Sequence, residues 1–298
     1  MKIGIGLPTV FASNQGPLLL EWARRADEAG FSSLAILDRV VYQNYEPLVA
    51  LTAAAAVTTR IRLTTAVLLA PLRNPGILAK QAASLDALSN GRLTLGMAVG
   101  NRKDDFLAAP ATHTDRGKRF EASLAMMKRI WAGEDAGGGV GPIGPAPVQR
   151  GGPEVLIGGR AEVALRRAGR FGDGYITGGI NDLPGARAAY DIARAAWDEA
   201  GRAGAPRFVG SLTCAIGDEA ARLTAEATQH YYTYQSGPPS NNPRGTEATS
   251  RAHNVPSTAT EIAELIAACE AAGLDEMFVR PGGVTDPAQV DLLAKAVL

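Results

Sequence analysis

Two short stretches of the chain place glycine pairs where an anion could be gripped. One is "IGGR", with Gly158, Gly159 and Arg160; the other is "ITGG", with Thr177, Gly178 and Gly179. A glycine pair lets backbone N–H groups approach a ligand, and the N-terminus of a following helix favours negative charge. Thr177 adds a hydroxyl and Arg160 a cation, so the set reads as a phosphate cradle. Tight strand-to-helix turns also use glycine; the repetition, with Thr and Arg beside it, favours the phosphate. A third group is "GNRKDD", in which Gly100, Asn101 and Arg102 end an apolar run and Lys103, Asp104 and Asp105 crowd charge. A fourth is Asp38-Arg39, directly after the apolar "SLAIL".

Other catalytic sets are missing. His113, His230 and His253 stand apart, with no HxH or HExxH spacing, so no metal site is expected. There is no G-x-S-x-G elbow, and Cys214 and Cys269 have no basic, helix-terminal setting that would activate a thiol. Such a chain suits an enzyme whose cofactor carries the chemistry. A cofactor-free isomerase or aldolase would need Lys or Glu at a strand end, where Asp38 is the one buried-looking acid.

Thirty basic residues balance thirty acidic ones. A net charge of zero leaves no electrostatic footprint for nucleic acid or an acidic membrane, so a small molecule is the expected partner. Two cysteines without CxxC spacing fit a reducing cytoplasm. The start carries no signal-peptide pattern, and runs such as "LTTAVLLAPL" fall short of the ~20 apolar residues of a membrane span.

The elements that must position these groups follow one rhythm of strand and amphipathic helix. Strands are expected at 2–7, 33–37, 61–69, 93–99, 154–159, 174–179, 208–216 and 276–280. Helices follow at 17–31, 46–58, 75–89, 119–131, 161–171, 183–203, 219–234 and 287–297, with a further one at 259–272. "SNGR" ends a helix and turns into the fourth strand through Asn90-Gly91, and Lys103 to Asp105 cap the next helix. Gly96 and Ala98 are read as small residues leaving room inside. Residues 132–153, rich in Gly and Pro, are read as a long surface loop rather than a domain boundary, because the rhythm resumes unchanged; 236–257 is a polar insertion.

Eight strands with crossover helices predict a single α/β domain over 1–298, a (β/α)8 TIM barrel. A doubly wound sheet is the alternative, but no G-x-G-x-x-G follows the first strand. In such a barrel the site lies at the strands' C-terminal ends. These ends are Leu7-Pro8-Thr9, Asp38-Arg39, the region after Val67, Gly100 to Arg102, Gly158 to Arg160, Thr177 to Gly179, Ile216 and Arg280.

The run "LTTAVLLAPLRNPGILAKQAASLDALSNGRLTLGMAVGNRKDDF" (63–106) resembles the bacterial luciferase-like oxidoreductases, which are flavin-dependent monooxygenases or coenzyme F420-dependent enzymes. "ADEAGFSSLAILD", "YEPLVALTAAAAVTTRIRL", "RFEASLAMMKRIW" and "PEVLIGGRAEVALRRAGRFGDGY" extend it in order along nearly the whole chain. The resemblance implies a ring against Leu7, Ala66, Val67, Gly100 and Asn101, its phosphate at the two glycine turns, and a cis peptide at Ala66–Val67. It also implies a homodimer. Many F420-using relatives carry His after the strand-two Asp; Arg39 stands here, which cannot be a general base but could bind an anion. Asp38 and Arg39 are therefore the candidate catalytic pair.

F420 would bring hydride transfer, and its acidic tail would suit a basic lane of Arg73, Arg102, Lys103 and Arg160. FMN would bring oxygenation, with a separate flavin reductase supplying the reduced form. A non-catalytic cofactor carrier is a further alternative. The substrate walls would come from the loop after strand one, Arg39 to Tyr45, His113 and 236–257, with Tyr42 and Tyr45 among the aromatics. Tyr231, Tyr232 and Tyr234 are read as packing a helix end.

Overall fold

Leu, Ile, Val and Ala fill the eight expected strands, and apolar side chains on both faces suit a parallel sheet covered by helices. The structure is a computed structural model that describes residues 1–8, 16–234 and 255–298, with the side chains of 232–234 set apart. Thr9, His253, the side chains of Tyr232 and Tyr234, and 236–254 of the polar insertion lie outside the described residues.

The strands are β1 (Lys2–Gly6), β2 (Ser33–Ile36), β3 (Arg62–Leu69), β4 (Leu93–Ala98), β5 (Glu154–Gly158), β6 (Gly174–Ile176), β7 (Arg207–Thr213) and β8 (Glu276–Arg280). They close in chain order into one parallel barrel. β8 returns to β1 with Lys2 opposite Glu276 and Ile5 opposite Val279. The helices are α1 (Gly16–Ala29), α2 (Pro47–Ala55), α3 (Pro75–Leu88), α4 (Lys103–Ala108), α5 (Arg116–Trp131), α6 (Glu162–Phe171), α7 (Leu183–Glu199), α8 (Asp218–Tyr234), α9 (Ala259–Ala271) and α10 (Ala288–Val297). The (β/α)8 TIM barrel of the sequence reading is therefore the fold.

Two strands end three residues earlier than expected, and both differences matter at the mouth. β6 stops at Ile176, because Thr177 donates its last backbone bond to Val209 O (2.9 Å) and the two glycines turn away. β7 stops at Thr213, beyond which the Ala215 N–H turns to Pro256 O (3.1 Å). The short α4 was not foreseen as a separate element. Asn90 and Gly91 make the expected turn with φ of 55° and 78°.

Alternate strand residues point inward, which layers the barrel. At the floor, the buried Glu276 accepts from Ser33 Oγ (2.5 Å) and Arg207 Nη2 (2.6 Å). Arg207 Nη1 also grips Glu154 (2.6 Å), and Thr94 Oγ1 donates to the same carboxylate (3.0 Å). Above lies an apolar plug of Ala35, Leu156, Ile176, Val209 and Phe278, packed against Ala66 and Val67. The layer above that is open.

Gly96 serves a different purpose from the one expected. A Cβ there would lie 2.1 Å from Thr65 O, where β3 shifts register between Thr65 and Leu68. The glycine admits the β3 backbone, while Ala98 does border the open space.

Residues 132–153 run between α5 and β5 and are tied down. The Asp86 carboxylate accepts from Val148 N (2.8 Å), Gln149 N (3.0 Å) and Gln149 Nε2 (2.6 Å). β4 and β5 on either side pair directly, Leu95 with Val155. Among the described residues no helix is long and apolar enough to cross a membrane.

Candidate active site at the barrel mouth

A cavity of about 590 Å³ opens at the C-terminal ends of the strands. Leu7, Asp38, Arg39, Ala66, Val67, Gly100, Asn101, Arg102, Gly158, Gly159, Arg160, Thr177 and Gly178 all line it. Of the expected catalytic and cofactor-binding residues, Gly179 lies outside the lining; Thr177 Oγ1 donates to its carbonyl (3.2 Å), so its part is to shape the turn. Ile216 is also outside the lining. The Ala66–Val67 peptide bond is cis, as the resemblance implied.

The glycine turns are built from below. Tyr175, stacked on Phe208 in the wall, donates its hydroxyl to Gly159 O (3.1 Å). Burial pushes the Tyr175 phenol above its ordinary range, so it remains a donor. A Cβ on Gly159 would sit 2.4 Å from Ala164 Cβ, which draws α6 close to the strand end. Gly178 faces open space, and its carbonyl accepts from Arg280 Nη2 (3.2 Å). Arg160 is exposed at the rim with no ion pair among the described residues.

On the opposite wall, Asp38 is buried and accepts from Leu69 N (2.9 Å) and Arg73 Nη2 (2.9 Å). Its carboxylate thereby fixes the end of β3. Burial pushes the Asp38 carboxyl above the usual range, against the pull of Arg73 and the Leu69 N–H.

Arg39 is buried as well, and Asp105 is its partner. Arg39 Nε donates to Asp105 Oδ2 (2.8 Å), and the other Asp105 oxygen accepts from Val40 N (3.0 Å) and Val41 N (2.9 Å). Arg39 Nη2 reaches Val41 O (3.0 Å) and Asp104 (3.4 Å). Arg102 pairs with Asp104 through Nε (3.1 Å) and Nη2.

The charge knot therefore corrects two expectations. Asp104 and Asp105 do lie in the first turn of α4, but Asp105 is 1% exposed and ties α4 to the end of β2. The basic lane of Arg73, Arg102, Lys103 and Arg160 also does not form as such. Arg73 is spent on Asp38 and Glu46, and Arg102 on Asp104. The cation the sequence did not single out is Arg116, at the start of α5. It lines the cavity, donates to Gly100 O (2.9 Å) and makes no ion pair among the described residues. The signal was "HTDRGKR", where the spacing of Arg116 from Gly100 gives no hint of their contact.

Two aromatics also enter. Phe106 from α4 and Tyr231 from α8 line the cavity, so Tyr231 does more than pack a helix end. Tyr42 meets Tyr231 edge-on (5.3 Å) without lining the cavity itself. His113 sits behind the wall, edge-on to Phe106 (4.9 Å). Cys214 is buried, and burial pushes its thiol up to about 12, which removes it as a nucleophile.

A family model described as luciferase-like monooxygenase matches residues 1–291. The chain belongs to the luciferase-like monooxygenase family. Its curated relatives include an F420-dependent glucose-6-phosphate dehydrogenase of Beutenbergia cavernae, 34% identical over 53% of this chain and 51% of that one. Another is an FMNH2-dependent dimethylsulfone monooxygenase of Pseudomonas putida, 31% identical over 47% of this chain and 41% of that one. Even the relative from Mycobacterium tuberculosis at 33% identity is matched over only 64% of its length. A monooxygenase structure from Streptomyces bottropensis superposes with a TM-score of 0.80 at 23% identity, covering 99% of this chain and 98% of that one. Among the described residues the mouth is poor in acids and bases: the carboxylates lining it, Asp38 and Asp105, are both committed to arginine and backbone partners.

Proposed function

We propose that this luciferase-like protein is an F420-dependent oxidoreductase transferring hydride to or from a small organic substrate. One observation carries the reading. The cavity joins an apolar wall to a glycine-lined rim, where Arg116 and Arg160 have no carboxylate partner among the described residues. A phosphate with an acidic tail suits that rim, and a ring suits the wall.

The residues present fit such a group. Gly158, Gly159, Arg160, Thr177 and Gly178 would hold the phosphate, with Gly179 completing the turn; a side chain on Gly158 would crowd Ile176 O at 3.2 Å. Leu7, Ala66, Val67, Gly100 and Asn101 would flank the ring. When bound, F420 supplies the hydride acceptor or donor. The chain's own part is to hold, orient and keep water away: Leu69, Val99 and Phe106 make the wall apolar. Asp38 and Arg39 act through position, Asp38 by fixing the end of β3 and Arg39 by tying the end of β2 to α4 through Asp105.

The second reading is an FMN-dependent monooxygenase supplied with reduced FMN by a separate reductase. The same apolar wall would shield an oxygen-reactive centre, and the Pseudomonas putida relative acts on a small molecule in that way by its name. Fluorescence titration of the purified chain with F420 and FMN, oxidised and anaerobically reduced, separates the two. We expect F420 to bind at least about tenfold more tightly than FMN, a difference of about 1.4 kcal/mol. Tight binding of FMN alone would overturn the F420 reading. With the function go a single domain over 1–298, a homodimer and a cytoplasmic location. The dimer rests on the resemblance, and the location on two thiols held reduced and buried.

A further inference from the structure

Among the strand residues that line the cavity, polar side chains are confined to one side of the barrel. On β1 to β6 every such residue is glycine, alanine, valine, leucine or isoleucine. β7 and β8 instead bring Ser211, Thr213 and Arg280, with Phe278 beneath them. Alternation along β7 aims both hydroxyl-bearing residues inward. Arg207 reaches Glu154 and Glu276 at the floor, Val209 belongs to the plug, and the same face next presents Ser211 and then Thr213. Phe208, on the other face, stacks on Tyr190 of α7 (4.6 Å). Two residues of strand rise about 6.7 Å, so the hydroxyls form a short strip leading from the mouth down to the plug.

Both hydroxyls are open to the cavity. Neither has a hydrogen-bond partner among the described residues, and neither is sealed from contact as the Nη1 groups of Arg39 and Arg102 are. Ser211 is 5% exposed, and that exposed part borders the cavity. A hydroxyl so deep is as a rule hydrogen-bonded, so one left open at the foot of a cavity offers its bond to whatever enters. The surroundings narrow the ligand. A hydroxyl carries no charge and both donates and accepts. The carboxylates of the lining, Asp38 and Asp105, are spent on Arg73 and Arg39 away from this strip. Arg280 is its charged neighbour: in register with Thr213, it runs past Gly6, and its Nη2 donates to the neutral Gly178 O (3.2 Å). A neutral oxygen beside the hydroxyls and an apolar body against the other strands therefore fit this half of the mouth.

We propose that Ser211 and Thr213 form a substrate subsite that binds a neutral carbonyl or hydroxyl oxygen on an otherwise apolar small molecule. The subsite deepens the oxidoreductase reading by naming the substrate class, and it rests on that reading only for the word substrate. β7 and β8 stand across the barrel from β3 and β4, where Ala66, Val67, Gly100 and Asn101 would flank the ring. The substrate would therefore lie between the ring and β7, its oxygen turned to the hydroxyls.

Acetophenone and α-methylstyrene, which differ in little but the carbonyl oxygen, are suitable probes for the full chain, with benzoate as the anionic control. Binding is read by saturation-transfer NMR and calorimetry. Ser211→Ala and Thr213→Val each remove one hydroxyl with little change of volume. We expect each to weaken acetophenone about fivefold, the worth of one neutral hydrogen bond, and to leave α-methylstyrene unchanged. Circular dichroism and thermal melting establish that the variants are folded; if one does not fold, the other decides. Equal weakening of both probes, or of neither, would overturn the proposal, as would acetophenone binding too weak to measure in the wild type. Benzoate bound more tightly than acetophenone would make the strip part of an anion site with Arg280 and overturn the neutral class. A matching loss of F420 and FMN affinity in the variants would assign the hydroxyls to the ring and overturn the substrate role. F420 and FMN titrations of the wild type stand apart from these measurements: their failure would sink the oxidoreductase reading, while the subsite stood or fell on acetophenone.

Discussion

Gly100 has a φ of +71°, in the left-handed region, and an added Cβ would meet Leu69 Cδ2 and Phe106 Cε2 at 3.4 Å. The contact is ordinary; the backbone conformation is what excludes a side chain. Valine there should cost at least ~1–2 kcal/mol for its conformation and displace the loop that carries Asn101. The expected result is a folded protein with a slightly lower melting temperature and no measurable cofactor binding; unchanged affinity would put the ring elsewhere. The two thiols make a second prediction at this scale. Burial holds Cys214 at about 12 and Cys269 at about 11. An unfolded thiol titrates near about 8.5. The folded chain therefore keeps both protons where the unfolded chain loses them. The thiols' contribution to stability is complete below about pH 8.5 and falls as pH rises from there toward about 12. Ellman's reagent at about pH 8 should find no thiol in the native protein and both after unfolding in urea. Rapid reaction of the native protein would contradict the burial of Cys214.

α4 is six residues long and holds the end of β2 through one carboxylate. Asp105→Ala would leave the Arg39 guanidinium buried without its main partner and the N–H groups of Val40 and Val41 without acceptors. Breaking a buried ion pair from one side costs about 3–5 kcal/mol. Urea unfolding should show a loss of that size, and Asp105→Asn, which keeps an acceptor oxygen, a smaller one. A loss below about 1 kcal/mol would mean the pair is not buried as described. This contact also marks where the sequence stopped being legible. The strands, their helices and the glycine turns follow from alternation, helical periodicity and turn chemistry, which are local. Asp105 meets Arg39 across 66 positions of chain, and the direction of a side chain on so short a helix leaves no periodic trace. Arg116 escaped notice for the same reason. Gly96 was misjudged because its need comes from the neighbouring strand: a Cβ would strike Thr65 O at 2.1 Å. Gly96→Ala should therefore destabilise by about 1–3 kcal/mol through overpacking, measurable by the same unfolding experiment.

Thirty positive and thirty negative side chains leave the whole molecule with no net field to draw an anion in from a distance. Any attraction for an acidic cofactor tail must come from the mouth. Most of the arginines there are cancelled locally, Arg73 by Asp38 and Glu46, and Arg39 and Arg102 by Asp104 and Asp105. Arg116 and Arg160 are the exceptions among those described, and both are partly open to solvent, where salt screens them. Raising the ionic strength from about 0.02 M to about 0.5 M shortens the screening length from roughly 20 Å to roughly 4 Å. On that account F420 should lose affinity about fivefold or more across the range, whereas FMN, with a phosphate seated in the glycine turns and no oligoglutamate tail, should lose less. Arg116→Gln should flatten the salt dependence for F420 and leave that for FMN nearly as it was, whereas Arg160→Gln, at the phosphate of either cofactor, should weaken both. An F420 affinity indifferent to salt in the wild type would remove Arg116 from contact with the tail, and with it the feature that favours F420 over FMN.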